Sequence, residues 1–134
     1  MSSSQGPVVD GKDRQAFLEL QQRMYRETQN LKRLEQQQLQ SVREKRKNEL
    51  CLQELGTLPG DVNCYRTVGR TFVLVSRDDM CRELEQSVRD NEDFVKNSKD
   101  KKTYLEKQVK EAEDDIRELL KSAPALAKQI AGVA

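Results

Sequence analysis

Tyr65–Val75, "YRTVGRTFVLV", is the stretch whose reading decides the fold. Its aromatic and β-branched residues suit strands, and no other part of the chain carries such a run. Gly69-Arg70 supplies a two-residue turn with Gly at the first central position, as a type II′ turn requires. A β-hairpin over residues 64–75 follows. On its second strand Phe72 and Leu74 share one face, and Thr71, Val73 and Val75 share the other. Both faces are largely apolar, as in a strand covered on two sides. A lone two-stranded hairpin is marginal in water, and its unpaired edges invite further strands. The expected resolution is assembly, with the edges pairing to equivalent hairpins of other subunits. The competing reading leaves the hairpin packed only on its own helices.

Outward from the hairpin, both flanks read as long helices. The first is expected over residues 10–55, with Asp10 accepting from the free amides of the first turn. It is expected to stop at "LGTLPG", where Gly56 takes a left-handed C′ conformation and Pro59 bars continuation. In heptads its a positions are Phe17, Met24, Leu31, Gln38, Lys45 and Leu52. Its d positions are Leu20, Glu27, Leu34, Ser41, Asn48 and Leu55. The seam is apolar at both ends and polar in the middle. Leu39 and Val42 lie off it, where a stutter would shift the register.

The second helix, expected over residues 77–121, opens at "SRDDM", where Ser76 and Asp79 have the spacing of a capping box. Its a positions are Cys81, Val88, Val95, Lys102, Val109 and Ile116, and its d positions Leu84, Asn91, Ser98, Leu105, Ala112 and Leu119. Folding the chain back at the hairpin sets Gln38 and Ser41 opposite Ser98 and Val95, and Lys45 near Asn91. Polar seam positions then meet polar ones, which avoids stranding charge against an apolar partner. The expected fold is mainly α: a long antiparallel two-helix coiled coil joined by one hairpin. The alternative pairs each helix with a separate chain.

Composition agrees with helices more than with a globule. Charged residues make up 35% and aromatic residues 4%, with no Trp, which leaves little to fill a compact core. The periodic seam argues against the disorder that such a composition otherwise allows. With 24 Lys and Arg against 23 Asp and Glu, no basic field exists to collect nucleic acid or an anionic membrane, and neither is an expected partner. The absence of His removes the commonest general base and metal ligand. No Gly-rich phosphate loop occurs. An enzyme is not expected, nor any cofactor or metal. Cys51, Cys64 and Cys81, odd in number and widely spaced, suit reduced thiols in the cytoplasm, and also the nucleus.

The remaining features have bland readings. Residues 1–9, which lack the pattern of a secretion signal, are expected to be a disordered tail. Residues 122–134 are expected to be a flexible tail, broken from the helix at Pro124, with Leu126 and Ile130 four apart as in a short amphipathic turn. "REKRK" at Arg43–Lys47 and "EAEDD" at Glu111–Asp115 read as solvated helix faces. Asp78 and Asp79 stand where a helix dipole favours carboxylates, so they are not read as a catalytic pair.

Helix, single hairpin, helix is a plan that resembles the β-type prefoldin subunits. The resemblance rests on "YRTVGRTFVL" (Tyr65–Leu74), "KKTYLE" (Lys101–Glu106) and "KEAEDDIRELL" (Lys110–Leu120), and covers about residues 12–121. Thr71 departs from it, since the family tends to carry a bulkier apolar residue there. The resemblance implies a hetero-hexamer of α-type and β-type subunits, whose hairpins form a multi-subunit β-barrel platform. It implies an ATP-independent co-chaperone that binds unfolded polypeptides such as actin and tubulin and delivers them to the cytosolic chaperonin. Subunit assembly then falls to Tyr65, Val68, Gly69, Phe72, Val73, Leu74 and Val75. Client binding falls to the free arm ends, at Phe17, Leu20, Met24, Ile116, Leu119 and Leu120. The alternative function is a structural coiled-coil adapter or tether in a cytoskeletal or transcription-related complex.

Overall fold

The structure is a computed structural model, and it describes residues 9–133. The elements follow in the order α1 (Gly11–Thr57), β1 (Cys64–Val68), β2 (Thr71–Val75), α2 (Arg77–Ser122) and α3 (Pro124–Val133). They form two compact units, the hairpin unit (residues 34–100) and the terminal unit (residues 9–33 with 101–133). In both units α1 and α2 lie side by side and antiparallel.

Helix starts are set by side chains that satisfy free amides. Asp10 Oδ1 accepts from the Lys12 amide at 2.9 Å, and its carbonyl from the Arg14 amide at 3.1 Å. Ser76 Oγ accepts from the Asp79 amide at 3.1 Å. The Asp79 carboxylate lies 3.7 Å from Arg82. The end of α1 differs from expectation. Gly56 is helical, because Gly69 is the one described Gly with positive φ, and α1 runs on to Thr57. Pro59 makes the stop, by disfavouring helical geometry at Leu58. The Leu58 amide reaches back only to the Leu55 carbonyl, at 3.3 Å, and Thr57 Oγ1 donates to the Glu54 carbonyl at 2.7 Å.

In the hairpin unit the polar seam closes on itself. Gln38 Nε2 donates to Ser98 Oγ at 2.8 Å, and Ser98, 6% exposed, donates on to the Val95 carbonyl. Asn48, 5% exposed, donates to Ser87 Oγ at 2.7 Å, and Asn91 Nδ2 donates to the Ser87 carbonyl. Lys45 Nζ lies 3.0 Å from Glu92, one residue beyond the expected neighbour Asn91. No stutter occurs: Leu39 and Val42 are each half exposed, while Gln38, Ser41 and Lys45 hold the seam. Satisfied hydrogen bonds let polar side chains keep the register, so the off-seam apolar pair has nothing to displace. Asn48→Ala is expected to lower the stability of this seam by about 1–2 kcal/mol. Thermal unfolding followed by circular dichroism checks it; an unchanged midpoint would show that the pair carries no weight.

In the terminal unit the seam is apolar apart from Glu27 and Lys102, with Leu105 and Ala112 buried. Arg23 clasps it from the flank, reaching Asp115 at 3.3 Å, Gln108 at 3.2 Å and Glu111 at 3.8 Å. The segment expected as a flexible tail is instead the helix α3. Pro124 ends α2 but opens α3, at a first-turn position where its missing N–H has no role. Leu126 and Ala123 are buried, so tertiary cover holds a helix too short to stand alone. Of the expected disordered tail, residues 1–8 lie outside the described residues.

The strands pair antiparallel with Tyr65 opposite Leu74, Thr67 opposite Phe72 and Val68 opposite Thr71. Gly69 has φ 60° and Arg70 does not share the positive sign, which makes the turn type II′. A Cβ at Gly69 would meet no heavy atom within 4 Å, so any substitution there is opposed by the backbone alone. Gly69→Val is expected to destabilise the hairpin by about 1–2 kcal/mol. Hydrogen exchange of the Tyr65–Leu74 amides reads this directly, and unchanged protection would contradict it.

Candidate functional site

Five of the ten strand residues of the hairpin are exposed large hydrophobics, a density that neither long helix approaches. Tyr65, Phe72 and Leu74, on one face, are 57%, 73% and 62% exposed. On the other face Val68 and Val73 are open, while Cys64 is buried and Val75 half-buried at the base. Arg66 on that face pairs with Glu83 of α2. The sheet has two strands, so each strand keeps one edge of unpaired N–H and C=O groups. The residues expected to serve assembly therefore gather on one small element, with Gly69 at its turn. Burying one of the large side chains against a partner stabilises by about 1.5–3 kcal/mol.

An open apolar groove of ≈ 520 Å³ continues this surface at the base of the hairpin. Leu50 and Leu55 of α1, Leu58 and Val62 of the loop, and Met80 and Leu84 of α2 line it, with Tyr65 at its rim. Tyr65 also shares a cleft with Phe72, which joins the groove to the exposed face. Sequence reasoning missed this groove. Its only signal was Leu58 and Val62 in an otherwise turn-like loop, where the Val62 amide donates to the Pro59 carbonyl at 3.2 Å. Cys51 and Cys64 are among the groove's lining residues, and all three cysteines are free thiols.

In the terminal unit Phe17, Leu20, Met24, Ile116, Leu119 and Leu120 are all half-buried. All but Leu120, which flanks the helix seam, are seam positions, and none stands among the exposed large hydrophobics. α3 lies over part of this end. Arg14 Nη2 donates to Gln129 Oε1 at 3.3 Å, and a cleft of ≈ 310 Å³ is walled by Arg14, Phe17 and Gln21 on α1 and by Leu126, Gln129 and Ile130 on α3. The exposed large apolar residues described in this unit are Leu18, Tyr25 and Tyr104, none of them at an a or d position.

The charge runs are occupied by local pairs. Lys45 and Arg46 of "REKRK" meet Glu49. Glu111 and Asp115 of "EAEDD" meet Arg23. The hydrogen bond that the Lys45 ammonium donates to Glu92 raises the lysine pKa from its ordinary value, against a smaller opposing effect of desolvation. A raised lysine pKa stabilises the fold below the unfolded-state value and loses that contribution only as pH rises through the folded value. Changes between pH 6 and 8 lie below both lysine values and leave this contribution untouched. Among the described residues no group of three His, Cys, Asp or Glu is placed to hold a metal ion, and no helix is long and apolar enough to cross a membrane.

Comparison with known proteins gives likenesses of three kinds. Residues 18–123 match the family described as "Prefoldin subunit". A protein of Arabidopsis thaliana named prefoldin subunit 1 is 39% identical over 123 residues, covering 92% of this chain and 96% of that protein. The Homo sapiens protein of the same name is 38% identical over 112 residues, covering 84% and 92%. Among solved structures, the prefoldin beta subunit from Thermococcus strain KS-1 is 24% identical with a TM-score of 0.48, covering 86% of this chain and 91% of that one.

Proposed function

The chain belongs to the prefoldin subunit family, and from that premise we propose that it is one β-type subunit of an ATP-independent chaperone hetero-hexamer. The observation that carries this reading is the hairpin, apolar on both faces and open on both edges, with Phe72 73% exposed. Such an element is stable when neighbouring hairpins cover it, as in a shared β-barrel platform. Unfolded chains such as actin and tubulin are the proposed clients, held at the arm ends and passed to the cytosolic chaperonin. Weak apolar contacts from several arms suffice to hold a client and still release it. The proposed site of action is the cytoplasm, and also the nucleus, where the three thiols stay reduced.

One observation favours the alternative, a coiled-coil tether. A tether keeps its seam ends covered, and α3 covers one end here. Suppression of client aggregation by the assembled complex, without nucleotide, separates the two. A holding chaperone suppresses light scattering at near-stoichiometric amounts; a tether leaves scattering unchanged.

A further inference from the structure

α3 is an unusual occupant of the terminal unit. Its sequence, "PALAKQIAGV", is mostly apolar with one charge, Lys128, in a chain that is otherwise heavily charged. It is joined to α2 through the single non-helical residue Ala123, with Pro124 preventing a continuous helix. Leu126 is 3% exposed, and it shares the cleft beside Phe17 with Ile130, one helical turn further on. The polar tie to α1 is the Arg14–Gln129 hydrogen bond at 3.3 Å between exposed side chains. Such a ten-residue helix is held by the burial of Leu126 and Ala123 and by one exposed side-chain bond, so it detaches more readily than the far longer α1 or α2.

We propose that α3 is a resident stand-in for client: the surface of α1 around Arg14, Phe17 and Gln21 accepts short amphipathic helices with apolar residues four apart, and α3 occupies it until such a segment displaces it. This rests on the client-holding reading and names the kind of segment that the arm end takes. The fit is already displayed, because α3 presents Leu126 and Ile130 to that surface at i, i+4 spacing. Arg14 adds a donor that selects a segment with a polar acceptor beside its apolar stripe. α3 and client then compete, so the apparent affinity for client is the intrinsic affinity reduced by the fraction of time the surface is free.

The test uses the full chain in its assembled complex, with reduced, carboxymethylated α-lactalbumin as the unfolded probe. Leu126→Asp combined with Ile130→Asp releases α3 without shortening the chain. If the surface is free about 10% of the time or less, the double variant binds the probe at least about 10-fold more tightly. A labelled peptide of residues 122–134 added in trans should bind the variant and displace the probe. Gln129→Ala, which removes only the bond to Arg14, should tighten binding in the same direction by a smaller factor. Equal affinity of wild type and both variants overturns the proposal, and weaker binding by the variants makes α3 part of the grip instead. If the peptide binds the variant but no form binds the probe, the surface stands and the client-holding reading falls. Hydrogen exchange over residues 11–24 shows whether the double variant leaves α1 folded; if it does not, Gln129→Ala and the peptide decide.

Discussion

Phe72→Asp is expected to abolish assembly of this chain with its partner subunits while its helix content survives. Phe72 is 73% exposed on a face it shares with Tyr65 and Leu74, so the single chain loses little by the change. In a barrel formed between hairpins the same position is covered. A carboxylate there is buried without a partner, and the aromatic contact is lost as well. Together these amount to roughly 5 kcal/mol, or about three to four powers of ten in affinity. α1 and α2 keep their caps at Asp10 and Ser76 and their own seams, so circular dichroism should change little. Leu39→Asp is the matched control, because Leu39 is a half-exposed apolar residue on α1 outside the seam. Sedimentation velocity should show the control in a full-sized complex and Phe72→Asp as free chain. A full-sized complex with Phe72→Asp would remove the hairpin from its assembly role.

The second large effect concerns the client. Phe17→Ser with Leu119→Ser and Leu120→Ser is expected to leave assembly intact and to abolish most protection of an aggregating client. These side chains are half-buried in the terminal unit, where helix ends fray because their last backbone groups lack helical partners. Each apolar side chain offered to a client contributes about 1–3 kcal/mol, so three substitutions remove most of one arm's hold. The same changes also weaken the seam, and that effect needs its own control. Leu105→Ala supplies it, since Leu105 is a buried seam residue of the same unit and away from the end. Its cost of about 2–5 kcal/mol loosens the coil without touching the proposed contact residues. Light scattering of the client should rise with the triple variant and stay low with Leu105→Ala. Equal protection by the triple variant and wild type would move the client site elsewhere.

The parts of the fold that were legible in sequence are those written in local rules. Heptads in a heavily charged chain reveal a seam, since apolar residues at a and d have few competitors. Gly69 announces the turn because only Gly adopts its positive φ freely, and the register of the strands follows from that turn. The expected stutter at Leu39 and Val42 was misleading because it weighted hydrophobicity alone. Gln38 and Ser98 satisfy one another, as do Asn48 and Ser87, and a satisfied polar pair competes well for the seam. Gly56 was assigned a left-handed cap that Pro59 makes unnecessary.

α3 and the apolar groove lie beyond local rules. A ten-residue helix gains its stability from what covers it, and "PALAKQIAGV" reads equally well as a frayed end. The groove is built from Leu50, Leu58, Val62 and Met80, which three separate elements bring together. No periodicity links them. The same holds for the client residues: the heptads put Phe17 and Leu119 in the seam, but not α3 beside Phe17.

The central claim is that this chain works as one subunit of a complex that holds unfolded protein without nucleotide. Native mass spectrometry tests it in one measurement, on the complex co-expressed with an α-type prefoldin subunit and given one equivalent of reduced, carboxymethylated α-lactalbumin. The account predicts the mass of a hetero-hexamer containing this chain, and a second peak heavier by one client, both in the absence of ATP. A chain that stays outside any hexamer, or a hexamer that carries client only when ATP is added, would contradict it.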